Sequence, residues 1–480
     1  MMRSIFIKSM RLGPLVYSMV GLVVCMVSLN AQTAPLKPRI VVLTDIKNFE
    51  PDDQESLTRL LVHADLYEIE GIVISTSWGF KDMHEHLDSI DIATSVIDAY
   101  EKDVPNLLKR SNQTGFARYE ARQEVGYWPS AQYLKDRTMF GSMYRGTARL
   151  GKENNSAGSD LIIKLADEDD ERPIWVTFWG GGNTLAQAIW QVQNTRSESE
   201  LKAFLHKVRA YAITDQDRSN IKGDGRQASF EGSSHAWMRR NFSDDLLFIW
   251  EECAWKYQVS AAKRGLWPEY EAHIQHHGNL GDQYPKYHFG VEGDTPSFLH
   301  ITPNGLNNPD EPTQAGWGGY SEWGLGEDQN GYSYTNKTGD AHTICEKYAK
   351  HFYPATFNNF AARMDWAKEG KGNRNPVVVV EGDDSLDILM QKPKQGAAVK
   401  LDASKSTDPD GDTLSYKWWV QPEAGSYKGA IEVKNHSSSQ ATIEIPADSA
   451  GKTFHLICEV TDDGVHNLTA YRRIIFAPVP

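Results

Sequence analysis

An acidic loop after the first apolar run carries the residues best suited to chemistry. Asp45 closes the run RIVVLTD, and Glu50, Asp52 and Asp53 follow it within eight residues. Several carboxylates at one strand end would form a site of hard oxygen donors, which suits Ca²⁺ or Mg²⁺. A second interpretation stays open, because Pro51 and the acids behind it also suit an ordinary helix start. A helix start accounts for Asp52 and for Asp53 when each is considered alone, but it does not account for Asp45 at the end of the strand.

Two later segments also place carboxylates where they could face a ligand. Asp215 and Asp217 follow an apolar run in AITDQD, and we expect them at the ligand-facing end of a strand. Glu292 and Asp294 in GVEGDTPSF could supply a carboxyl group near the same cleft. For both segments turn formation is the alternative, since Asp readily bends and caps the chain.

Three aromatic residues lie among glycines in the segment AGWGGYSEWGLG, namely Trp317, Tyr320 and Trp323. Flat rings on a loop can stack against the apolar C–H faces of sugars. Core packing is the usual fate of Trp, yet the glycines and the lack of periodicity favour an exposed loop. We therefore expect these rings to contact a sugar.

The loops that carry these residues connect elements of alternating type. Apolar runs typical of buried strands, such as RIVVLTD, IEGIVIST and PIWVTFWGG, alternate with helical stretches such as DDQESLTRLLVHADL. This alternation predicts right-handed βαβ units and a mostly parallel sheet flanked by helices. Ligands bind beyond the carboxyl ends of such strands. Here those ends are residues 44–45, 75–78, 179–183 and 214–217.

The character of the sequence changes near residue 370, which predicts two domains. The α/β pattern occupies residues 36–370, and the charged, Gly- and Asn-rich stretch AKEGKGNRNP follows as a linker. Residues 376–480 hold short β-rich runs with regularly spaced turn signals, which predict an all-β sandwich. Tyr416, Trp418 and Cys458 in this part resemble the core of an immunoglobulin-like module.

The first 31 residues have the pattern of a secretory signal peptide. Arg3, Lys8 and Arg11 precede a long apolar run that ends in small residues near Ala31. A single membrane anchor is the alternative, because the apolar run is nearly long enough to span a bilayer. A signal peptide would place the mature protein outside the cytoplasm, as a secreted, periplasmic or cell-surface protein, with membrane contact only through this export signal.

The charge of the chain excludes one class of partner. The formal net charge is −14, from 50 basic and 64 acidic residues, and no Lys/Arg cluster offsets it. A chain this acidic is a poor binder of phosphate backbones, so we expect no nucleic-acid partner.

Two strings resemble nucleoside hydrolases: strand–Asp–loop–Asp–Asp–helix at the start, and the Gly-rich turn WGGGNTLAQAI. More closely, residues 38–366 resemble a secreted bacterial family of cellulose-binding proteins with a nucleoside-hydrolase-like domain. The matching strings include RAYAITDQD and YHFGVEGDTPSFLHITPNGLNNPDEP. The sandwich, with LDASKSTDPDGDTLSYKWW, resembles the module that accompanies this domain.

The resemblance implies one Ca²⁺ held by this loop, by the Gly-rich turn and by a distal Asp, with the sugar hydroxyls and the attacking water bound to the ion. Carried over, Asp45 and Asp53 become ligands, and Asp52 faces a sugar hydroxyl. Asp45 is also the implied general base, so Asp45 and Asp52 are the implied catalytic residues. Asn183 lies where the turn approaches the ligand, and Asp340 in TGDAHTI is the candidate for the distal Asp.

Two departures from the nucleoside-hydrolase pattern bear on function. Six residues, IKNFEP, separate Asp45 from the Asp pair where three are usual, so we expect Glu50 to fill part of the metal shell. The family members that activate a nucleobase with His place it directly before the distal Asp, where Gly339 stands here. Both departures count against a nucleoside as the substrate.

Three functions are compatible with these observations. The first is a secreted metal-dependent glycoside hydrolase that acts on a plant or algal glycan or glycoside. The second is a non-catalytic protein that binds cellulose or another polysaccharide, and the third is a nucleoside N-ribohydrolase. We expect the first, with Asp215, Asp217, Glu292 and the aromatic loop contacting the carbohydrate.

Overall fold

The computed structural model describes residues 35–48, 51–77, 87–116, 123–219, 229–329, 331–337 and 339–480. The predicted signal segment 1–31 and Glu50 lie outside the described residues. Within the described part of the chain, no helix combines the length and apolarity needed to cross a membrane.

The α/β part is built on one large sheet. In the described residues it has eight strands in the order β3-β2-β1-β4-β5-β6-β8-β7, and all pair in parallel except β7 with β8. The strands are β1 (Arg39–Thr44), β2 (Glu68–Ile74), β3 (Thr138–Phe140), β4 (Ile174–Phe178), β5 (Val208–Ile213), β6 (Leu247–Glu251), β7 (Glu322–Leu325) and β8 (Tyr332–Thr335). This sheet confirms the predicted mostly parallel architecture.

The strand β1 shows why this sheet is covered on both faces. Its residues are all buried and mostly β-branched or apolar, as is usual for a strand inside a parallel sheet. Successive side chains point to opposite faces. Ile40 and Val42 therefore pack into one hydrophobic core, and Val41 and Leu43 pack into a second core on the other side.

Helices supply the other wall of each core. A short 3₁₀ helix, Lys152–Asn154, lies between α3 and α4. The α-helices are α1 (Asp52–Leu61), α2 (Ser89–Arg110), α3 (Ala131–Lys135), α4 (Ala157–Ala166), α5 (Asn183–Thr195), α6 (Glu198–Lys207), α7 (Ser234–Phe242), α8 (Ala254–Val259), α9 (Trp267–His273), α10 (Gly278–Gln283), α11 (Thr295–Leu299) and α12 (Gly339–Glu369).

The C-terminal part is the predicted all-β module. Its described strands form a sheet in the order β10-β13-β12 and a second in the order β11-β14-β15-β9. They are β9 (Leu389–Gln391), β10 (Ala398–Asp402), β11 (Ser415–Gln421), β12 (Val433–Lys434), β13 (Gln440–Glu444), β14 (Phe454–Thr461) and β15 (Thr469–Phe476). Trp418 and Cys458, directly paired on neighbouring strands, lie in its separate hydrophobic core.

The two parts are joined by buried polar contacts, and residues 35–480 form one compact unit. Arg473 on β15 is buried and donates to the carbonyl oxygens of Leu306 and Ala315 in the α/β part. The indole of Trp317 donates to the hydroxyl of Tyr471 at 3.2 Å. The domain limits at residues 370 and 376 remain predictions.

Candidate functional site

Three carboxylates meet beside the first helix. One oxygen from each of Asp52, Asp53 and Asp294 lies within 4.8 Å of the other two. Asp53 and Asp294 are only 3% and 2% exposed, and Asp52 is half-buried. Gathering buried carboxylates is costly unless a cation or protons neutralise them. Their oxygen donors fit a hard divalent cation such as Ca²⁺.

The start of α1 (Asp52–Leu61) presents two of these carboxylates. Asp52 and Asp53 occupy its first turn, where acidic side chains oppose the helix dipole. The hydroxyl of Thr44, the last residue of β1, donates to Oδ1 of Asp53. The backbone N–H of Ile46 donates to the same hydroxyl at 3.2 Å. This hydrogen bond connects the end of β1 to the start of α1. The helix start is therefore observed, and the metal site stays a prediction for the same residues.

Asp294 comes to the group from a distant part of the chain. It immediately precedes α11 (Thr295–Leu299), and its neighbour Gly293 lies against Asp52. A Cβ at position 293 would be 2.7 Å from Oδ2 of Asp52, so glycine lets the two segments meet without displacing that carboxylate. Asp294 therefore replaces Asp340 as the candidate for the distal ligand. The residue before it is again a glycine and not a histidine.

Asp340 and Asp45 are not members of this group of three carboxylates. Asp340 is exposed in the first turn of α12, outside the group of three carboxylates. Asp45 is buried, and its Oδ2 lies 3.6 Å from Nζ of Lys47. It is outside the group as well, although it directly follows β1 next to Thr44. Its roles as ligand and base remain predictions.

Two further buried carboxyl groups, Glu55 and Glu292, lie near the group of three carboxylates. Burial raises the pKa of Glu55 well above its ordinary value, and the charge of Asp52 adds to this rise. Glu292 is fully buried, where it pairs with Arg59 at 2.5 Å and accepts from the hydroxyl of Tyr284 at 2.9 Å. These internal partners occupy its carboxylate, and substrate contact by Glu292 stays a prediction.

The Gly-rich turn after β4 packs tightly on the ends of three other strands, β1, β2 and β5. A Cβ on Gly180 would meet the carbonyl oxygen of Thr76 at 2.7 Å and Oδ1 of Asp45 at 2.9 Å. A Cβ on Gly181 would collide with Oδ1 of Asp217. Asp45 and Asp217 thus lie against adjacent glycines of one turn. Only residues without side chains permit this approach.

Asn183 braces this turn. Its amide nitrogen donates to the carbonyl oxygens of Ser142 and Tyr144 at 2.8 and 2.7 Å, and its Oδ1 accepts from the hydroxyl of Ser75 at 2.9 Å. The side chain is buried, and both its amide nitrogen and its amide oxygen are hydrogen-bonded within the protein. Asn183 positions the turn through these contacts, and direct substrate contact by Asn183 stays a prediction. A cavity of about 240 Å³ opens beside it.

Asp215 and Asp217 follow β5 but have different surroundings. Asp215 is fully buried and accepts from the hydroxyl of Ser233 and from the backbone N–H groups of Asp217 and Arg218. These contacts are the turn chemistry given as the alternative, and direct substrate contact by Asp215 stays a prediction. Asp217 accepts from Ser234, and burial raises its pKa. It is the residue of this pair that touches the Gly-rich turn.

The aromatic segment divides into buried and exposed rings. Trp317 and Tyr320 are 7% and 3% exposed, and Trp317 packs edge-on against Tyr471. The expectation that these two rings lie on an exposed loop is therefore wrong. Trp323 on β7 is 47% exposed and remains available for contact.

Comparisons with known proteins agree with this architecture. Residues 39–320 match the family described as "Cellulose-binding Sde182, nucleoside hydrolase-like domain". Residues 398–478 match "Cellulose-binding protein Sde0182, C-terminal domain". A search of curated proteins finds no match.

Among solved structures, a protein from Saccharophagus degradans is similar over almost the whole chain. It is described as a nucleoside hydrolase-related hypothetical protein associated with carbohydrate metabolism, and it is 34% identical with a TM-score of 0.79. The match covers 92% of this chain and 100% of that chain. The effector protein XOO4466 is 11% identical over 70% of this chain and 95% of its own, with a TM-score of 0.31 that is too low to bear on function.

The match to the family covers more than half of the sequence, and the solved relative shares both parts of the chain. The resemblance inferred from the sequence motifs is thereby confirmed. This chain belongs to the family of cellulose-binding, nucleoside-hydrolase-like proteins typified by Sde182.

Proposed function

We propose that the α/β part hydrolyses a glycosidic bond of a glycan or glycoside with the help of one Ca²⁺ or similar divalent cation. The observation that carries the proposal is the meeting of Asp52, Asp53 and Asp294, whose oxygens lie within 4.8 Å of one another. Family membership and the carbohydrate association of the Saccharophagus relative support a sugar as the substrate.

The cation, when bound, would lower the pKa of a water molecule and orient sugar hydroxyl groups. Asp53 and Asp294 would hold it with buried carboxylates, and Asp52 would add a third oxygen. Lys47 holds the side chain of Asp45, the proposed general base, at the end of β1.

Asp217 is the group best suited to protonate the leaving sugar oxygen. Burial raises its pKa, which is the direction that a general acid requires. Asp45 and Asp217 lie against neighbouring glycines of one turn, which matches the use of two carboxyl groups in glycoside hydrolysis.

A nucleoside is a less suitable substrate for this arrangement. The residue before Asp294 is Gly293, and the space at its Cβ position is filled by the carboxylate of Asp52. The histidine that activates the nucleobase in part of the nucleoside hydrolase family therefore has no counterpart at this position. A glycoside with an oxygen leaving group does not depend on that histidine.

Polysaccharide binding without catalysis is the second candidate function. The observation that favours it is the exposed ring of Trp323, together with the ring of Tyr332, which is also 47% exposed. Cellulose is the ligand named for the family, and we propose that it is a ligand of this chain.

The test combines cation binding with a substrate screen. Chelator-treated protein is titrated with Ca²⁺ in a calorimeter and then assayed on aryl glycosides, nucleosides and cello-oligosaccharides. We expect Asp53→Asn and Asp294→Asn to lose at least tenfold in Ca²⁺ affinity and to lose turnover. The control Asp340→Asn makes the same change at an exposed position and should behave as the unaltered protein. Retention of Ca²⁺ binding and turnover by Asp53→Asn would refute the proposal.

We also propose that the segment 1–31 exports the protein from the cytoplasm. Expression of the full chain in a bacterial host should yield a mature form that begins after residue 31, which N-terminal sequencing of secreted or periplasmic protein would detect. Uncleaved protein confined to the cytoplasm would contradict export.

A further inference from the structure

A wide groove lies at the end of the large sheet opposite to the acidic loop. Its volume is about 520 Å³, within the range of roughly 300–1,000 Å³ that is typical of ligand sites. Arg209 and Leu247 line it, and they stand at the beginnings of β5 and β6. Asp45 and Asp217 follow the ends of parallel strands in the same sheet. The groove is therefore separate from the proposed catalytic site.

Trp323 and Tyr334 of the hairpin β7–β8 form one wall of the groove, and Leu325 and Tyr332 continue the same face beside it. Trp323 stands directly opposite Tyr334, and Leu325 stands directly opposite Tyr332. Directly paired residues, and residues two apart on one strand, share one face of a sheet. Trp323, Tyr332 and Leu325 are 47%, 47% and 42% exposed, so this face is apolar and open to solvent. An exposed apolar patch of this kind marks a binding surface.

The geometry of the rings suits a flat ligand. The rings of Trp323 and Tyr332 are 6.0 Å apart with only 21° between their planes, and Tyr334 meets Trp323 edge-on at 5.3 Å. The two rings stack on each other, and this stacked pair forms a short aromatic platform on the exposed face. The C–H faces of sugar rings are flat and apolar, and they stack on such platforms.

Apart from Leu246 and Leu247, the remaining lining is polar and consists largely of paired charges. Arg209 contacts Asp310 at 2.9 Å, and His206 contacts Asp245 at 3.1 Å. Asp244 adds another carboxylate to the lining, so an anionic ligand would be repelled. A neutral sugar chain can instead exchange hydrogen bonds between its hydroxyl groups and these donors and acceptors.

We propose that this groove binds a neutral glucan chain, such as a chain of cellulose, on the platform of Trp323 and Tyr332. The proposal rests on the carbohydrate function proposed above and adds a second carbohydrate site, remote from the carboxylates of Asp52, Asp53 and Asp294. This site holds polymer whether or not the catalytic site turns over. It therefore tethers the protein to polysaccharide while the other end of the sheet acts on a substrate.

The test measures binding of the full chain to insoluble cellulose and, by calorimetry, to cello-oligosaccharides. We expect Trp323→Ala and Tyr332→Ala each to weaken binding at least tenfold, and Trp323→Phe to restore part of it. Phe289→Ala, which removes a 65% exposed ring outside the groove, is the matched control and should bind normally. Thermal unfolding identifies any variant that has lost its fold. If one of the two alanine variants is unfolded, cellulose binding by the other variant tests the proposal.

Two outcomes would overturn the proposal: unchanged binding by both alanine variants, or a change in self-association, measured by size-exclusion chromatography, without a change in glucan binding. The second outcome would assign the aromatic face to a protein contact. Asp53→Asn should bind cellulose normally. Loss of turnover without loss of cellulose binding therefore bears on the catalytic site alone. Normal turnover with no glucan binding would contradict the groove and the second candidate function, and it would leave the proposed hydrolysis standing.

Discussion

Gly293 lies directly against Asp52, since a Cβ at position 293 would be 2.7 Å from Oδ2 of that carboxylate. The backbone of the Asp294 segment thereby approaches the start of α1 closely enough for carboxylates from both to share a site. The residue that permits the site contributes no ligand atom. Its role is steric.

Gly293→Ala should therefore weaken Ca²⁺ binding about tenfold, or roughly 1.4 kcal/mol, by displacing the carboxylate of Asp52. Stability should change little, because the displaced atom is the end of a side chain. Calorimetric titration and thermal unfolding measure the two effects. Gly115→Ala adds the same methyl group where no atom lies within 4 Å and serves as the control. Equal affinity in both variants would contradict the steric role.

The buried pair of Arg59 and Glu292 should contribute to stability and not to substrate affinity. Arg59→Met leaves the carboxylate of Glu292 buried without its cation, which should lower the free energy of unfolding by about 3–5 kcal/mol. The double variant with Glu292→Gln should recover part of this loss. Urea unfolding measures both. A loss below about 1 kcal/mol for Arg59→Met would show that the pair is not a structural contact.

Asp217 should make stability depend on pH in a defined direction. Burial raises its pKa in the folded protein, so the folded state holds the proton more tightly than the unfolded state. Its contribution therefore becomes less favourable as pH rises from about 4, the ordinary pKa of Asp, through the raised value. Relative to Asp217→Asn, the unaltered protein should lose melting temperature as pH rises above about 4. A difference in melting temperature that does not change with pH would contradict the raised pKa of Asp217.

The segment 376–480 should fold in isolation. Its core has residues of its own, among them Trp418, Cys458 and Phe454. Far-UV and near-UV circular dichroism of the isolated segment should show strand content and a cooperative unfolding transition. The surface around Tyr471 and Arg473, which is buried against the α/β part, would be exposed and should lower its solubility. A segment without cooperative unfolding would contradict the predicted domain limit.

Local patterns were sufficient to predict the architecture. The apolar run of β1 and its alternation with α1 predicted a covered parallel sheet, because a strand buried on both faces must be apolar at nearly every position. The spacing of short β-rich runs likewise predicted the C-terminal module. Asp52 and Asp53 were also within reach of sequence reasoning, because they follow a strand end within one loop.

The partners of that pair depended on contacts between distant segments. Asp294 and Asp340 both stand at helix starts, and the sequence pattern alone favoured Asp340. The packing of Gly293 against Asp52 selects Asp294. Sequence reasoning could have weighed the glycine before Asp294 as a sign of close backbone approach.

The sequence by itself determined which segments are strands and helices and which side chains can bind a cation or a sugar, because periodicity and residue chemistry are local. Only the tertiary structure decided that Glu292 pairs with Arg59, and that Trp317 is buried against Tyr471 while Trp323 stays exposed. Burial and pairing depend on what another segment brings to the same place. The residues next to a side chain in the sequence do not determine which distant segment packs against it.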